Sequence, residues 1–267
     1  MKIETPNVDI LCNLTEIMKS VEGTIEFDKK GMSFYSFDSF KFVNIIINSS
    51  LFSTYEVTEK QNIKLNCNDL HSIISKMKGQ NVFISMQISQ DKSILTIKSR
   101  GSKTSTHELR LLSETFDDNV EIAREKTKII TPQIEINMPS IKFKNMTEGI
   151  TTFDKRIIFI CTEAQLSLLS LTKERGSSKE IVKKSQNILI KNTIGKQKAK
   201  YNYDLIKEIL PYIIKLSEKI TIKFQTDFPL IISTKTNFID FVLTLAPMVT
   251  EMGAEIEEKL GEIEENE

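Results

Sequence analysis

The chain contains itself twice. Asn13-Leu14-Thr15-Glu16 recurs 132 positions later as Asn145-Met146-Thr147-Glu148, and Ile157 and Phe159 fall where Ile25 and Phe27 stand in the first copy. A second echo runs in the same order at nearly the same offset. Asp69-Leu70 opens an apolar run that ends in Lys76-Met77-Lys78, and Asp204-Leu205, 135 positions on, opens one that ends in Lys215-Leu216. Strand-like segments follow both runs, from Asn81 to Ser89 and from Ile220 to Gln225. A period this long marks a duplicated folding unit, and two units of about 130 residues can each close a core.

Composition narrows the class. With 40% apolar and 27% charged residues the chain is ordinary for a globular protein. The three cysteines, Cys12, Cys67 and Cys161, are odd in number and far apart, which gives neither a disulfide framework nor a zinc cluster. No apolar run approaches ~20 residues, and Met1-Lys2-Ile3-Glu4-Thr5-Pro6 is no signal peptide, so no membrane partner is expected. The formal charge of zero hides an asymmetry. Met248 to Glu267 holds eight Glu and one Lys, which leaves +7 on the rest. A mildly basic body with an acidic tail suits a polyanion partner, although lysine-rich surfaces also serve solubility alone.

Read in order, the first half gives a strand at Lys2 to Glu4 and a helix through Val8, Leu11, Leu14, Ile17 and Met18. Strands follow at Thr24 to Phe27, Met32 to Phe37, Phe42 to Ile47 and Asn62 to Asn66. A second helix spans Asp69 to Met77, with Asn68 or Asp69 as its N-cap. Phe83 to Ser89, Ile94 to Ser99 and His107 to Leu112 complete a meander. Phe116 to Thr131 carries mixed charge with little periodicity and ends at Pro132, which reads as a linker. The second half repeats the pattern, with helices at Ser140 to Phe153 and Asp204 to Leu216. Pro211 is expected to kink the latter or cap a first segment. Ile256, Leu260 and Ile263 stand at helical spacing among the glutamates of the tail. The domain boundaries are therefore 1–115, a connector 116–132, 133–248 and an acidic tail 249–267.

Chemistry is sparse. There is no Gly-rich phosphate loop, no His-Glu-x-x-His, no Cys-x-x-Cys and no Gly-x-Ser-x-Gly elbow. His71 and His107 have no evident partner and read as surface or strand-edge residues, so no enzyme is expected.

Two helix-decorated meanders, a mid-chain connector and no catalytic kit resemble the DNA sliding clamps of the proliferating cell nuclear antigen (PCNA) family. Phe37-Asp38-Ser39, then an apolar strand and Phe52-Ser53-Thr54-Tyr55, is similar to that family's Met-Asp-Ser and Phe-Asp-Thr-Tyr segments. Leu109-Arg110-Leu111-Leu112 resembles the strand before the connector, and Asn137-Met138-Pro139 the strand end after it. Asp227-Phe228-Pro229-Leu230 with Leu245-Ala246-Pro247 is similar to the Asp-Val-Pro-Leu and Leu-Ala-Pro pair near the C-terminus. The chain departs from the family in a longer connector without its Gln-Leu-Gly-Ile core, in Lys41 where His is frequent, and in Thr244 where a bulky residue is frequent. Asp9 and Glu16 also stand on a first helix that is usually more basic.

The resemblance implies an α+β fold of two similar clamp domains built on antiparallel sheet, closing with copies of itself into a trimeric ring around double-stranded DNA. It implies a non-enzymatic processivity factor without cofactor or metal. Its partners would be DNA polymerase, other clients carrying a peptide motif and a clamp loader. One subunit of a heterotrimeric replicative or DNA-damage checkpoint ring, and a clamp-fold transcription or scaffold factor, are alternatives on the same fold. DNA would meet Lys19, Lys76, Lys78, Lys142, Lys144, Lys207 and Lys215. A client peptide would fill a pocket drawn from Phe37, Lys41, Phe42, Val120, Ile122, Ala123, Phe228, Pro229, Ala246 and Pro247. Subunits would join through His107, Glu108, Leu109, Arg110 and Leu111 of one copy and Lys179, Ile181, Lys183 and Lys184 of the next. The location would be the nucleus in a cellular eukaryote, or the cytoplasm for an archaeon or a cytoplasmic virus.

Overall fold

A computed structural model describes residues 1–19, 22–101, 104–112, 118–152, 155–172, 176–192 and 194–248, without the side chains of 22, 118–121, 128 and 172. The acidic tail, the first residues of the connector, the Val120 side chain and the expected helix end at Phe153 lie outside that set. The chain divides into two compact units. Unit 1 holds Met1–Ile130, Lys215–Ser217 and Ser233–Leu243, and unit 2 holds Thr131–Ile214, Glu218–Ile232 and Thr244–Glu267.

The first copy of the repeat runs β1 (Lys2–Thr5), α1 (Val8–Met18), β2 (Glu22–Asp28), β3 (Gly31–Phe37), β4 (Lys41–Asn48), β5 (Thr54–Glu56), β6 (Gln61–Asn66), α2 (Cys67–Ser75), β7 (Phe83–Ile88), β8 (Ile94–Arg100) and β9 (Ser105–Arg110). After α3 (Asp118–Ile129) the second copy runs β10 (Ile134–Pro139), α4 (Ser140–Gly149), β11 (Arg156–Cys161), β12 (Gln165–Thr172), β13 (Gly176–Lys183), β14 (Leu189–Lys191), β15 (Gln197–Asn202), α5 (Tyr203–Leu216), β16 (Lys219–Phe224), β17 (Leu230–Lys235) and β18 (Ile239–Leu245). Both copies read strand, helix, five strands, helix, three strands. Sheet neighbours repeat as well. The order β5-β1-β7-β8 in unit 1 matches β14-β10-β16-β17 in unit 2, and β6-β2-β3-β4 matches β15-β11-β12-β13. In unit 1, β9 extends the first of these sheets and β18 lies beside β4.

In unit 1, α1 and α2 run side by side in opposite directions. His71 near the start of α2 meets Glu16 near the end of α1, and the Gly79 N–H beyond α2 reaches Asp9 Oδ1 in the first turn of α1 at 3.4 Å. Leu11, Leu14 and Met18 on α1 and Leu70 and Ile74 on α2 turn inward, at the helical spacing that burial on one stripe requires. The N-cap of α2 is Asn66, whose side chain accepts the Asn68 N–H at 2.9 Å, rather than Asn68 or Asp69. The helix thus starts directly from the strand, and the cap is the last strand residue.

In unit 2 the core gathers around Phe159, whose ring centroid lies 6.2 Å from Phe143, 5.4 Å from Tyr201 and 5.5 Å from Phe224. The Tyr203 hydroxyl at the start of α5 donates to the Thr147 carbonyl of α4 at 2.7 Å. Helix α4 stops at Gly149, short of the expected Phe153: glycine is a weak helix former, and Ile150 after it is extended. Pro211 sits inside α5 on its exposed side, and the helix runs on past it to Leu216. All three cysteines are buried free thiols, and burial pushes Cys161 up to about 12.

Glu135 on β10 lies between Lys191 Nζ at 2.9 Å and Lys223 Nζ at 3.0 Å. Those lysines, and Asn137 beside them, hold its carboxyl at about 2 against an ordinary 4.5. A carboxylate depressed by folding stabilises fully above its unfolded value and loses that contribution as pH falls from about 4.5 toward 2. Glu135→Gln is therefore expected to cost about 1 kcal/mol at neutral pH and to flatten the loss of stability in that acid window, as read by urea melts across pH. Gly31 opens β3 with φ +154°, and a Cβ built there would stand 2.0 Å from the Ile47 carbonyl oxygen. Gly31→Ala is expected to lower stability by about 1–3 kcal/mol in the same assay.

Candidate nucleic-acid and client interfaces

The lysines expected to meet DNA lie on or just beyond helices. Lys19 follows α1, Lys76 and Lys78 follow α2, Lys142 and Lys144 stand on α4, and Lys207 and Lys215 on α5. All are exposed except Lys144, which is half-buried and pairs with Glu148 at 3.3 Å. In unit 1 they sit at helix C-termini, where a cation complements the helix dipole. Carboxylates accompany them. Lys19 pairs with Glu16 at 3.3 Å, and Asp9 and Asp69 occupy the first turns of α1 and α2. Lys207 Nζ lies 5.7 Å from the Tyr203 ring centroid. A surface of interleaved signs holds a polyanion weakly and without a fixed register.

His71 has partners that its sequence neighbours do not reveal. Its Nε2 lies 2.5 Å from Glu16 Oε2 and its Nδ1 3.1 Å from Thr15 Oγ1, across 56 residues of chain. His107 Nε2 lies 3.2 Å from Ser105 Oγ. A hydroxyl, an imidazole and a carboxylate in a row invite comparison with a nucleophilic triad. The Thr15 hydroxyl, however, is buried and donates to the Cys12 carbonyl at 3.0 Å, so it is committed to the helix backbone and closed to a substrate. The cluster ties α1 to α2.

The strands expected at subunit contacts are both sheet edges. β9 ends the order β5-β1-β7-β8-β9 and pairs only with β8, and β13 ends β15-β11-β12-β13 and pairs only with β12 among the described residues. On β9, Glu108 and Arg110 are exposed, His107 is half-buried and Leu109 is buried; Leu111, just beyond, is half-buried. On β13, Ile181 and Lys183 are exposed and Lys179 is half-buried, with exposed Lys184 following.

The connector is a helix. Glu121, Ala123, Arg124, Glu125 and Lys126 are strong helix formers, and Thr131-Pro132 ends the run. Apolar periodicity is absent because α3 lies on a polar sheet face. Arg124 sits over the Tyr35 ring of β3 at 4.5 Å and 4.0 Å from Glu26 of β2, while Ile122 and Ile129 stay exposed and Ala123 is half-buried. Phe37 and Phe42 are cross-strand partners on that same face, two positions along β3 from Tyr35. Phe37 is partly exposed, Phe42 and Lys41 are buried, and Phe40 at the hairpin tip is 68% exposed. Beside α3 the sheet forms a cleft of about 480 Å³ lined by Tyr35, Ile46, Arg124, Lys235 and Phe238. None of these five was legible as a site residue, since only the antiparallel register assembles them. In unit 2, Phe228 is partly exposed and Pro229, Ala246 and Pro247 are half-buried, with the Phe228 carbonyl accepting from the Tyr201 hydroxyl at 2.9 Å.

This doubled arrangement is the clamp fold. The chain is similar in structure to PCNA from Thermococcus kodakaraensis, with a TM-score of 0.77 over 92% of this chain and 99% of that one at 15% identity. In sequence it is similar to DNA polymerase sliding clamp 2 of Sulfurisphaera tokodaii, 22% identical over 192 residues that span 68% of this chain and 71% of the relative. No protein-family model matches the sequence.

Arg124 ties α3 to Tyr35 and Glu26, and an isolated helix of this length is marginal in water. Arg124→Ala is expected to quicken amide exchange across Asp118–Ile129 roughly fivefold, the equivalent of about 1 kcal/mol, with β3 unchanged. Equal exchange rates in the two proteins would show that other contacts hold the helix.

Proposed function

We propose that the chain is a DNA sliding clamp, a processivity factor that encircles duplex DNA and tethers a polymerase to it. The observation that carries this reading is the repeat of eleven elements in one order, with the sheet neighbours repeated as well and with β9 and β13 each at the end of its sheet. Its likeness in fold to PCNA and in sequence to an archaeal sliding clamp supports the same reading.

A polymerase has to stay on DNA through many steps, and tight contacts would stop it moving. Encirclement resolves the conflict, because topology blocks escape while weak phosphate contacts carry no sequence information. In this reading β9 of one copy pairs with β13 of the next, so backbone groups left unmade in each monomer are satisfied and three copies close a ring. In this reading Lys183 or Lys184 complements Glu108 across that seam. Lys19, Lys76, Lys78, Lys142, Lys144, Lys207 and Lys215 line the hole as flexible, hydrated point charges suited to passing from phosphate to phosphate. Client peptides with aromatic anchors dock on the face of unit 1 that carries α3, using Phe37 and Ile122, with Lys41, Phe42, Val120 and Ala123 contributing. A clamp loader opens the ring. The protein works where its DNA is, in the cytoplasm of an archaeon or for a cytoplasmic virus, or in a eukaryotic nucleus.

Two measurements test this. Protein loaded on nicked circular DNA is expected to stay bound at a salt concentration that strips it from the same DNA once linearised; equal loss from both forms would reject encirclement. Light scattering is expected to give three times the chain mass, with Glu108→Lys weakening the trimer roughly tenfold and Glu108→Lys combined with Lys183→Glu restoring it. A monomer at micromolar concentration would instead point to other chains completing the ring.

A further inference from the structure

Each unit sets its two helices antiparallel, so each pair has two ends, and the two ends differ in charge. In unit 1 the start of α1 meets the finish of α2, where the Gly79 N–H reaches Asp9. Exposed Lys76 and Lys78 stand at that end. The opposite end holds Lys19, Asp69, His71 and Glu16, and the Glu16 carboxylate is engaged by both Lys19 and His71. In unit 2 the Ser140 N–H at the start of α4 donates to the Glu218 carbonyl just past α5 at 2.8 Å. Exposed Lys142 and Lys215 stand at that end. The other end, where Tyr203 meets Thr147, carries exposed Glu148, Asp204 and Glu208, with Lys207 between the last two in the chain.

Pairing sorts the lysines in the same way. Lys19 meets Glu16 at 3.3 Å, Lys144 meets Glu148 at 3.3 Å and Lys155 meets Asp204 at 3.5 Å, all toward the carboxylate-bearing ends. Among the described residues no carboxylate lies within ion-pair distance of Lys76, Lys78 or Lys142. A lysine already matched by a carboxylate gains little from a phosphate, because the neighbouring acid repels what the ammonium attracts. An unmatched lysine gains the full attraction and releases a condensed counterion from the nucleic acid. Helix stability accounts for a cation beyond the finish of α2, where it complements the dipole. It does not account for Lys142, which stands in the first turn of α4, where no acidic residue balances it and the dipole disfavours a cation.

We propose that phosphate contact is confined to one end of each helix pair, resting on Lys76 and Lys78 in unit 1 and on Lys142 in unit 2, while the carboxylate-bearing ends stay off the duplex. The partner is the sugar-phosphate backbone of double-stranded DNA, and the inference rests on the clamp reading for that partner. It divides the lysines of the helices into two groups. Lys76, Lys78 and Lys142 hold phosphate, and Lys19 and Lys144 serve their own helices by pairing with Glu16 and Glu148.

The test uses the full chain and a short linear duplex, with binding read by fluorescence anisotropy across a salt series. Lys76→Gln with Lys78→Gln is expected to weaken binding roughly tenfold at low salt and to flatten the log–log salt dependence by about one unit per lysine. Lys142→Gln is expected to give about half that effect, and Lys19→Gln with Lys144→Gln to change affinity less than about twofold. Lys76→Arg with Lys78→Arg keeps the charge and is expected to keep the salt slope, which a purely structural role would not predict. Equal losses in the two Gln pairs, a larger loss in the Lys19 and Lys144 pair, or a reduced slope in the Arg pair would each overturn the proposal. Retention of the unaltered protein on nicked circular DNA reports on encirclement alone. Failure there removes the clamp reading, whereas equal losses on the linear duplex remove only this inference.

Discussion

Backbone hydrogen bonding at the edges of the sheets constrains this molecule more than any single side chain does. Among the described residues β9 pairs with β8 alone and β13 with β12 alone, which leaves one side of each strand without a ladder partner. An edge of this kind either stays solvated, at the risk of uncontrolled pairing, or is matched by another strand. Neither strand carries a proline, but both carry exposed charge, Glu108 and Arg110 on β9 and Lys183 on β13. β9 carries one exposed charge of each sign and β13 carries Lys179, Glu180 and Lys183, so Glu108 offers a partner for a β13 lysine. The ring reading rests on those two sheet ends together with the duplicated topology.

The helices and the opposite sheet face divide the labour. Helices α1 and α2 are knitted by His71, Glu16 and Thr15, and Glu16 also pairs with Lys19 at the end of α1. Lysines at those ends remain on long side chains, as weak, register-free contact with phosphate requires. The face under α3 is different in kind. It is polar, with Glu26 and Tyr35 engaged by Arg124, yet it offers Phe37, Ile46 and Phe238 partly exposed. Apolar anchors set among polar groups suit a partner that docks by a few side chains rather than by broad burial.

Much of the fold was legible because duplication preserves pattern better than identity. Asn13 to Glu16 and Asn145 to Glu148 fall on corresponding helices, α1 and α4, and the echo at Asp69 and Asp204 falls on α2 and α5. What failed has local physical causes. Helix α3 has high intrinsic propensity but lies on a polar surface that Arg124 engages, so it carries no apolar stripe to read. The α2 cap fell on Asn66 because the strand runs straight into the helix, and α4 ended at Gly149 because glycine is a weak helix former. The partners of His71 come from a helix 56 residues away in sequence, and the cleft beside α3 from strands far apart in the chain. No local pattern encodes either, whereas the edge strands at β9 and β13 followed directly from the resemblance.

Burial of every thiol has a practical corollary. Cys12, Cys67 and Cys161 are enclosed, and Cys161 is held far from ionisation at neutral pH, so maleimides and alkylating agents find little thiolate on the folded chain. A cysteine introduced on an exposed position becomes the one fast-reacting handle. Fluorophores can therefore be placed on a helix or a sheet edge without first replacing native residues, and distances within and between copies measured on an otherwise unaltered protein.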